Sequence, residues 1–205
     1  MQKSEESSDL RVRRSRKLLQ QAFIELTVEK GFADLTVRDI TERAMVNRST
    51  FYRHYLDKYD LLEQYMNEIY ELSEDQTDVA EKRESPFDDR SSVLLRLLKH
   101  IQEFADFYQA MLNAKGDPYF LQLFRQKTEK LFLSCIAQTF PALEPEPDVP
   151  PIDLKLDVIA YAGVGATVWW LKQEQPCSPE HLAIWLDQLI GAIAGLALKP
   201  NQRVS

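Results

Sequence analysis

The octapeptide Arg48-Ser49-Thr50-Phe51-Tyr52-Arg53-His54-Tyr55 brings together the side chains best suited to recognition chemistry. On a helical wheel, Phe51 and Tyr55 fall within about 40° of each other and can dock onto neighbouring helices. Arg48, Ser49, Tyr52 and Arg53 then occupy a contiguous outward arc of about 140°, flanked by Thr50 and His54. Arginine can bond a guanine edge in a bidentate fashion, while hydroxyls and imidazole reach bases or phosphate oxygens. The same arc also suits a solvated amphipathic helix with two incidental arginines, and wheel geometry alone leaves both readings open.

Other chemistry finds little footing. His54, His100 and His181 fall on separate predicted helices, without HExxH or paired ligand spacing. Cys135 and Cys177 lack metal-like spacing and read as isolated thiols in a reducing compartment, Cys135 as a core thiol. No P-loop or GxGxxG is present. No catalytic site, metal or cofactor is therefore expected. Glu71, Glu74 and Asp75 read as a solvated helix face.

The surrounding chain must position that octapeptide. Its 205 residues carry a net charge of −7, which disfavours a nucleic-acid partner only at first sight. Residues 11–58 hold 11 Lys and Arg against 6 Asp and Glu, a local +5, whereas residues 59–205 hold 13 against 23, or −10. A basic head on an acidic body attracts phosphates at one end and repels them elsewhere. The N-terminus lacks an apolar signal core, and the uncharged run 158–171 is shorter than the roughly 20 residues of a bilayer span. A cytoplasmic protein with no membrane association is expected.

With six glycines and no sustained alternation, the pattern predicts an all-α chain. Leu19, Ala22, Phe23 and Leu26 form one stripe of a helix over about residues 13–30, stopped by Gly31. Thr36, with Asp39 three residues on, opens a second helix with a shortened capping box. Its buried face is Val37, Ile40 and Ala44, and Asn47 caps a third helix. A fourth begins near Lys58. Breaks are expected at 84–89 and 113–118, enclosing one helix over 91–112, with Asp117 and Pro118 starting another that runs to about Phe140. A proline-rich loop over 141–153 precedes helices over about 154–173 and 180–198.

The residues Gly31-Phe32, Thr36-Val37, Ile40, Ala44, Val46, Thr50-Phe51-Tyr52, His54-Tyr55, Lys58 and Leu61-Leu62 closely resemble the N-terminal pattern of the tetracycline-repressor (TetR) family over about residues 11–62. The resemblance implies a three-helix helix-turn-helix DNA-binding domain over 11–60 and a helical ligand-sensing and dimerisation domain over 61–200. It implies a non-enzymatic repressor whose homodimer binds a palindromic double-stranded DNA operator. Arg48, Ser49, Tyr52 and Arg53 would read or line the groove, while Thr36, Thr50, His54 and Lys58 would hold phosphates. Two departures stand out: Met45 replaces the usual turn glycine, and Thr41 follows Ile40 where alanine is usual. The alternative is a related protein-binding coactivator that has abandoned DNA, which would have little reason to keep a basic arc.

For the body, small residues on the last two apolar helices suggest close pairing with a second copy. Ala162, Gly163 and Ala166 lie on one; Leu186, Leu189, Ile190, Gly191, Ala192, Ile193 and Gly195 lie on the other. Phe104, Phe107, Tyr108, Met111, Tyr119, Phe124, Trp169 and Trp170 suit a pocket for a small hydrophobic or planar effector; Phe120 and Phe132 belong to the same aromatic group. Simple core packing accounts for these aromatics equally well.

Overall fold

The computed structural model describes residues 2–75, 89–113, 116–137 and 150–194. Among these lie nine helices and no strand: α1 (Gln2–Lys30), α2 (Val37–Arg43), α3 (Arg48–His54), α4 (Lys58–Asp75), α5 (Asp89–Glu103), α6 (Ala105–Leu112), α7 (Pro118–Ala137), α8 (Ile152–Lys172) and α9 (Pro179–Ala194). The all-α expectation is met. The expected break before Asp89, the end of α7 beyond Ala137, most of the proline-rich loop and the end of α9 beyond Ala194 lie outside the described residues. So do Gly195 and the side chains of Phe132 and Cys135.

The chain divides into two compact units. The first comprises Met1–Glu68 with Phe104–Leu123, the second Ile69–Glu103 with Phe124–Ser205. The head expected over 11–60 falls inside the first unit, which also takes in α6 and the start of α7.

In the first unit α1 packs against α2, α3 and α6. Its predicted stripe of Leu19, Ala22, Phe23 and Leu26 is buried, and each fully buried large side chain contributes roughly 1.5–3 kcal/mol. Phe23 meets Phe32, Tyr65 and Phe107 edge-on at centroid distances of 5.9, 6.4 and 5.8 Å. Such ring pairs add about 0.5–1.5 kcal/mol each beyond burial. Helix α1 begins earlier than the expected residue 13, because no proline or glycine interrupts residues 2–12.

Gly31 ends α1 with φ +84°, and its N–H donates to the Thr27 carbonyl at 3.0 Å. Thr36 and Asp39 form the full capping box at α2. The α2–α3 turn is a Schellman motif: the Met45 N–H donates to the Glu42 carbonyl (3.2 Å) and the Val46 N–H to the Thr41 carbonyl (3.1 Å). Met45 itself holds φ +52°, a left-handed conformation that favours glycine. Asn47 occupies the α3 N-cap with extended backbone, yet its side chain makes no capping bond.

The single helix expected over 91–112 is two. Phe104 leaves helical geometry (φ −112°, ψ 36°) between α5 and α6. The break falls where the chain passes between units, so that α6 serves the core of α1 while α5 packs against α9. Asp117 caps α7 as expected, accepting the Tyr119 N–H at 2.8 Å.

In the second unit α8 and α9 pack together. Leu156, Ile159, Ala160, Val164, Thr167, Trp170 and Leu171 of α8 are buried, as are Leu182, Ala183, Leu186 and Ile190 of α9. Trp170 places its indole N–H on the Cys177 carbonyl at 2.9 Å. The segment Asp153–Lys172 is long and apolar enough to cross a bilayer by length and composition, more than the run 158–171 suggests, but one side of it forms this unit's core.

Candidate nucleic-acid interface

The short helix α3 is seated by Phe51 and Tyr55, which are fully buried and 5.5 Å apart between ring centroids. Seating those two turns Arg48, Ser49, Tyr52 and Arg53 outward, and all four are exposed. The Arg48 guanidinium donates to the Tyr52 hydroxyl at 3.3 Å and lies 5.9 Å from the ring centroid. That contact holds one arginine beside the phenol while its remaining N–H groups stay available. Thr50 is half-buried on the flank.

The other three candidates are engaged within the protein. Thr36 donates both its N–H (2.9 Å) and its hydroxyl (2.5 Å) to the Asp39 carboxylate. Lys30 pairs with the same carboxylate at 2.6 Å, and Lys30 and then Thr36 hold its pKa well below the usual range. A phosphate at Thr36 would have to compete with Asp39.

Lys58 begins α4 and donates to the Phe32 and Ala33 carbonyls at 2.8 and 2.9 Å, with its ammonium 4.7 Å from the Phe32 ring centroid. An ammonium has three donors, so one N–H remains for a phosphate. The amides beside it are already capped: Asp57 accepts from the Tyr59 and Asp60 N–H groups at 2.8 and 2.9 Å. Asp57 is a capping residue that sequence reasoning missed, although an Asp directly before a helix is the ordinary signal.

His54 is half-buried, its Nε2 lying 2.8 Å from the Ser15 hydroxyl of α1. Ser15 also donates to the Val12 carbonyl at 2.9 Å. A hydroxyl has one proton, so at this contact His54 donates from Nε2 and Ser15 accepts. Burial, then Arg16 and Arg53, lower its pKa.

The effector candidates divide between the units. Phe107, Tyr108 and Met111 are buried in the first, with half-buried Phe104 at the helix break. Tyr119 is partly exposed in that unit and donates from its hydroxyl to Glu63 at 3.2 Å. Phe124 and Trp170 are buried in the second, where Trp169 is 44% exposed.

Of the pairing candidates, Leu186 and Ile190 face the second unit's own core, whereas Leu189 is 59% exposed. Ala162, Gly163, Ala166 and Ile193 are half-buried. The outer face carries an apolar stripe instead: Leu154, Val158, Tyr161 and Trp169 on α8, with Trp185 and Leu189 on α9. Their spacings keep each set on one helix face. The signal was present in the sequence, but the inward and outward sides of α8 are both apolar and could not be told apart.

Comparisons with known proteins converge on one family. Residues 19–65 match the model of bacterial regulatory proteins of the tetR family, and residues 88–191 match a transcriptional regulator C-terminal region. A stretch of 60 residues is 43% identical to the uncharacterised HTH-type transcriptional regulator YxbF of Bacillus subtilis strain 168, covering 29% of this chain but 16% of that protein's length. A TetR transcriptional regulator from Streptococcus agalactiae 2603V aligns with TM-score 0.65 and 25% identity over 91% of this chain and 98% of its own. The dihydroxyacetone kinase operon activator DhaS shares the fold, with TM-score 0.62 and 19% identity over 87% of this chain and 94% of its own. With one match over the recognition head and another over more than half of the chain, this protein belongs to the tetR family of transcriptional regulators.

Proposed function

We propose that the chain is a cytoplasmic repressor that binds a palindromic operator as a homodimer and releases it on binding a small hydrophobic or planar effector. The observation that carries the DNA reading is the exposed arc of Arg48, Ser49, Tyr52 and Arg53 on a helix fixed from behind by Phe51 and Tyr55. Such an arc presents bidentate and hydroxyl donors to base edges in the major groove. Thr50, His54, Thr36 and Lys58 serve as phosphate contacts or hold the elements that make them.

Dimerisation is supported by the apolar stripe on α8 and α9. Leu154, Val158, Tyr161, Trp169, Trp185 and Leu189 leave water when two copies meet face to face. A dimer also supplies two heads for half-sites about 34–36 Å apart. Release by an effector requires that it bind one head spacing better than another. Thermal-shift screening with planar and lipophilic compounds tests that part, and no stabilisation across a broad library withdraws it.

The decisive experiment measures binding to duplexes selected from genomic DNA, including the region upstream of the gene itself. Arg48→Ala and Arg53→Ala are each expected to cost about 1–3 kcal/mol on the selected site and to relax specificity there. Tight binding retained by the double variant removes the residue assignment; no selected duplex at all favours a protein-binding coactivator.

A further inference from the structure

The cations of the head sort into two groups. Arg43 pairs with Glu25 (3.1 Å) and Glu29 (2.6 Å), Arg38 with Glu42 (2.6 Å), Lys30 with Asp39 (2.6 Å) and Arg16 with Glu68. Those charges are neutralised at home and hold α1, α2 and α4 together. Arg48 and Arg53 of α3 have no carboxylate partner among the described residues, as befits groove-facing cations. Arg11, Arg14 and Lys17 of α1 are also exposed without one. The stretch from residue 10 to residue 18 carries no acidic side chain of its own.

The geometry separates these three. Ser15 bonds to His54 at the end of α3, which fixes the direction of the helix-turn-helix from α1 at this level. Arg11 lies one turn, about 6 Å, before Ser15 and within about 40° of it on the wheel. Arg14 lies about 100° round in the same sense. Glu25 and Glu29, which meet Arg43 of α2, sit at about 80° and 40° in that same sense. Arg11 and Arg14 therefore continue the flank of α1 that faces the helix-turn-helix. Lys17 lies about 160° from Ser15 and points to the opposite side.

We propose that Arg11 and Arg14 form a phosphate-binding flank beside α3, gripping the DNA backbone next to the groove that Arg48 and Arg53 enter. The inference rests on the DNA-binding reading above and adds a contact that the recognition helix does not supply. Two guanidinium groups on adjacent turns suit backbone oxygens, which fix register without reading sequence.

The test is the salt dependence of binding by the full-length protein, using a mixed-sequence DNA duplex long enough for two half-sites. Each phosphate contact contributes about 0.9 to the slope of log K against log salt. Arg11→Gln/Arg14→Gln is expected to lower that slope by about 1.8 per bound head. It should leave the preference for a selected duplex over the mixed one unchanged. Arg11→Lys/Arg14→Lys should restore the slope, and Lys17→Gln should leave it at the wild-type value. An unchanged slope in the glutamine double variant overturns the proposal. So does an equal loss in Lys17→Gln, which would make the effect a diffuse field. Absence of DNA binding by the wild-type protein under low salt overturns the DNA reading itself.

Discussion

Among the described residues two exposed faces stand out, and their chemistry is opposite. On α3, burying Phe51 and Tyr55 exposes arginines, hydroxyls and a phenol. On α8 and α9, burying Ile159, Trp170, Leu186 and Ile190 exposes Val158, Tyr161, Trp169, Trp185 and Leu189. The helical period produces both faces in the same way; what differs is the solvent each outer side is built to meet. A polar cationic arc gains little by burial against protein and much by meeting phosphates and base edges. An apolar stripe gains by removing its area from water, at roughly 25 cal/mol per Å². On the function proposed above, one short helix addresses a nucleic acid, and two longer ones address a second copy of the chain.

The largest test of that contrast places a charge on the apolar face. Trp185→Glu/Leu189→Glu puts each carboxylate into a self-complementary contact twice, where an unpaired charge costs several kcal/mol. The dimer dissociation constant should rise at least about a hundredfold, read by light scattering or sedimentation. A dimer that persists at the same concentration would show that the stripe is not the pairing surface. The matching change on the other face, Arg48→Ala, should leave the oligomeric state untouched.

A smaller effect separates the two regions by pH. Burial pushes the pKa of His100, on α5, down to about 4. A folded-state pKa below the unfolded value of 6.5 means that the unfolded chain binds the proton more readily. Stability is therefore full above pH 6.5 and is lost as pH falls toward 4, by up to about 3 kcal/mol. His100→Gln should flatten that part of the stability–pH curve in denaturant titrations. His54 carries a shift of the same sign with two cations contributing, so a slope that survives His100→Gln unchanged would move the effect to the head.

Gly165 offers a finer probe of the apolar face. It lies between Tyr161 and Trp169 on the stripe, and a Cβ added there meets nothing within 4 Å in the protomer. Gly165→Ala should raise the helix contribution by about 0.8–1 kcal/mol. If a partner helix approaches closely at this point, the same change weakens dimerisation, so measuring both quantities maps the contact.

How much of this was legible in the sequence follows the same divide. The head is built from local signals: Gly31 stops α1 at positive φ, Thr36 and Asp39 close the capping box, and the spacing of Phe51 and Tyr55 fixes which side of α3 faces out. Each lies within one or two helical turns, so reading the chain finds them. Non-local facts escaped. Nothing around Phe104 announces a break, because it arises where α5 and α6 serve different cores. Lys58 reads as a free cation until the Phe32 and Ala33 carbonyls are seen around it. Leu186 and Leu189 are the same residue type three positions apart, yet one is buried and the other open, and only packing tells which.

Several exposed apolar residues of the head, Leu56 and Met45 among them, belong to neither face, and Met45 supports the smallest prediction. Met45 is 92% exposed, so its side chain contributes almost no burial, while its backbone sits at φ +52° in the Schellman turn. Left-handed backbone costs a residue bearing a Cβ roughly 1–2 kcal/mol, and glycine escapes that cost. Glycine also gives the unfolded chain more freedom, which takes back part of the gain. Met45→Gly is therefore expected to stabilise the protein by about 0.5–1 kcal/mol, read from denaturant midpoints with an unchanged m-value. DNA affinity and dimerisation should not move, because the turn keeps its Glu42 and Thr41 hydrogen bonds and α3 keeps its seat. A variant that gains stability but loses DNA affinity would make Met45 part of the recognition surface, so that the head's uncovered face would no longer be purely polar. A variant that loses stability would mean that the turn depends on the methionine side chain despite its exposure.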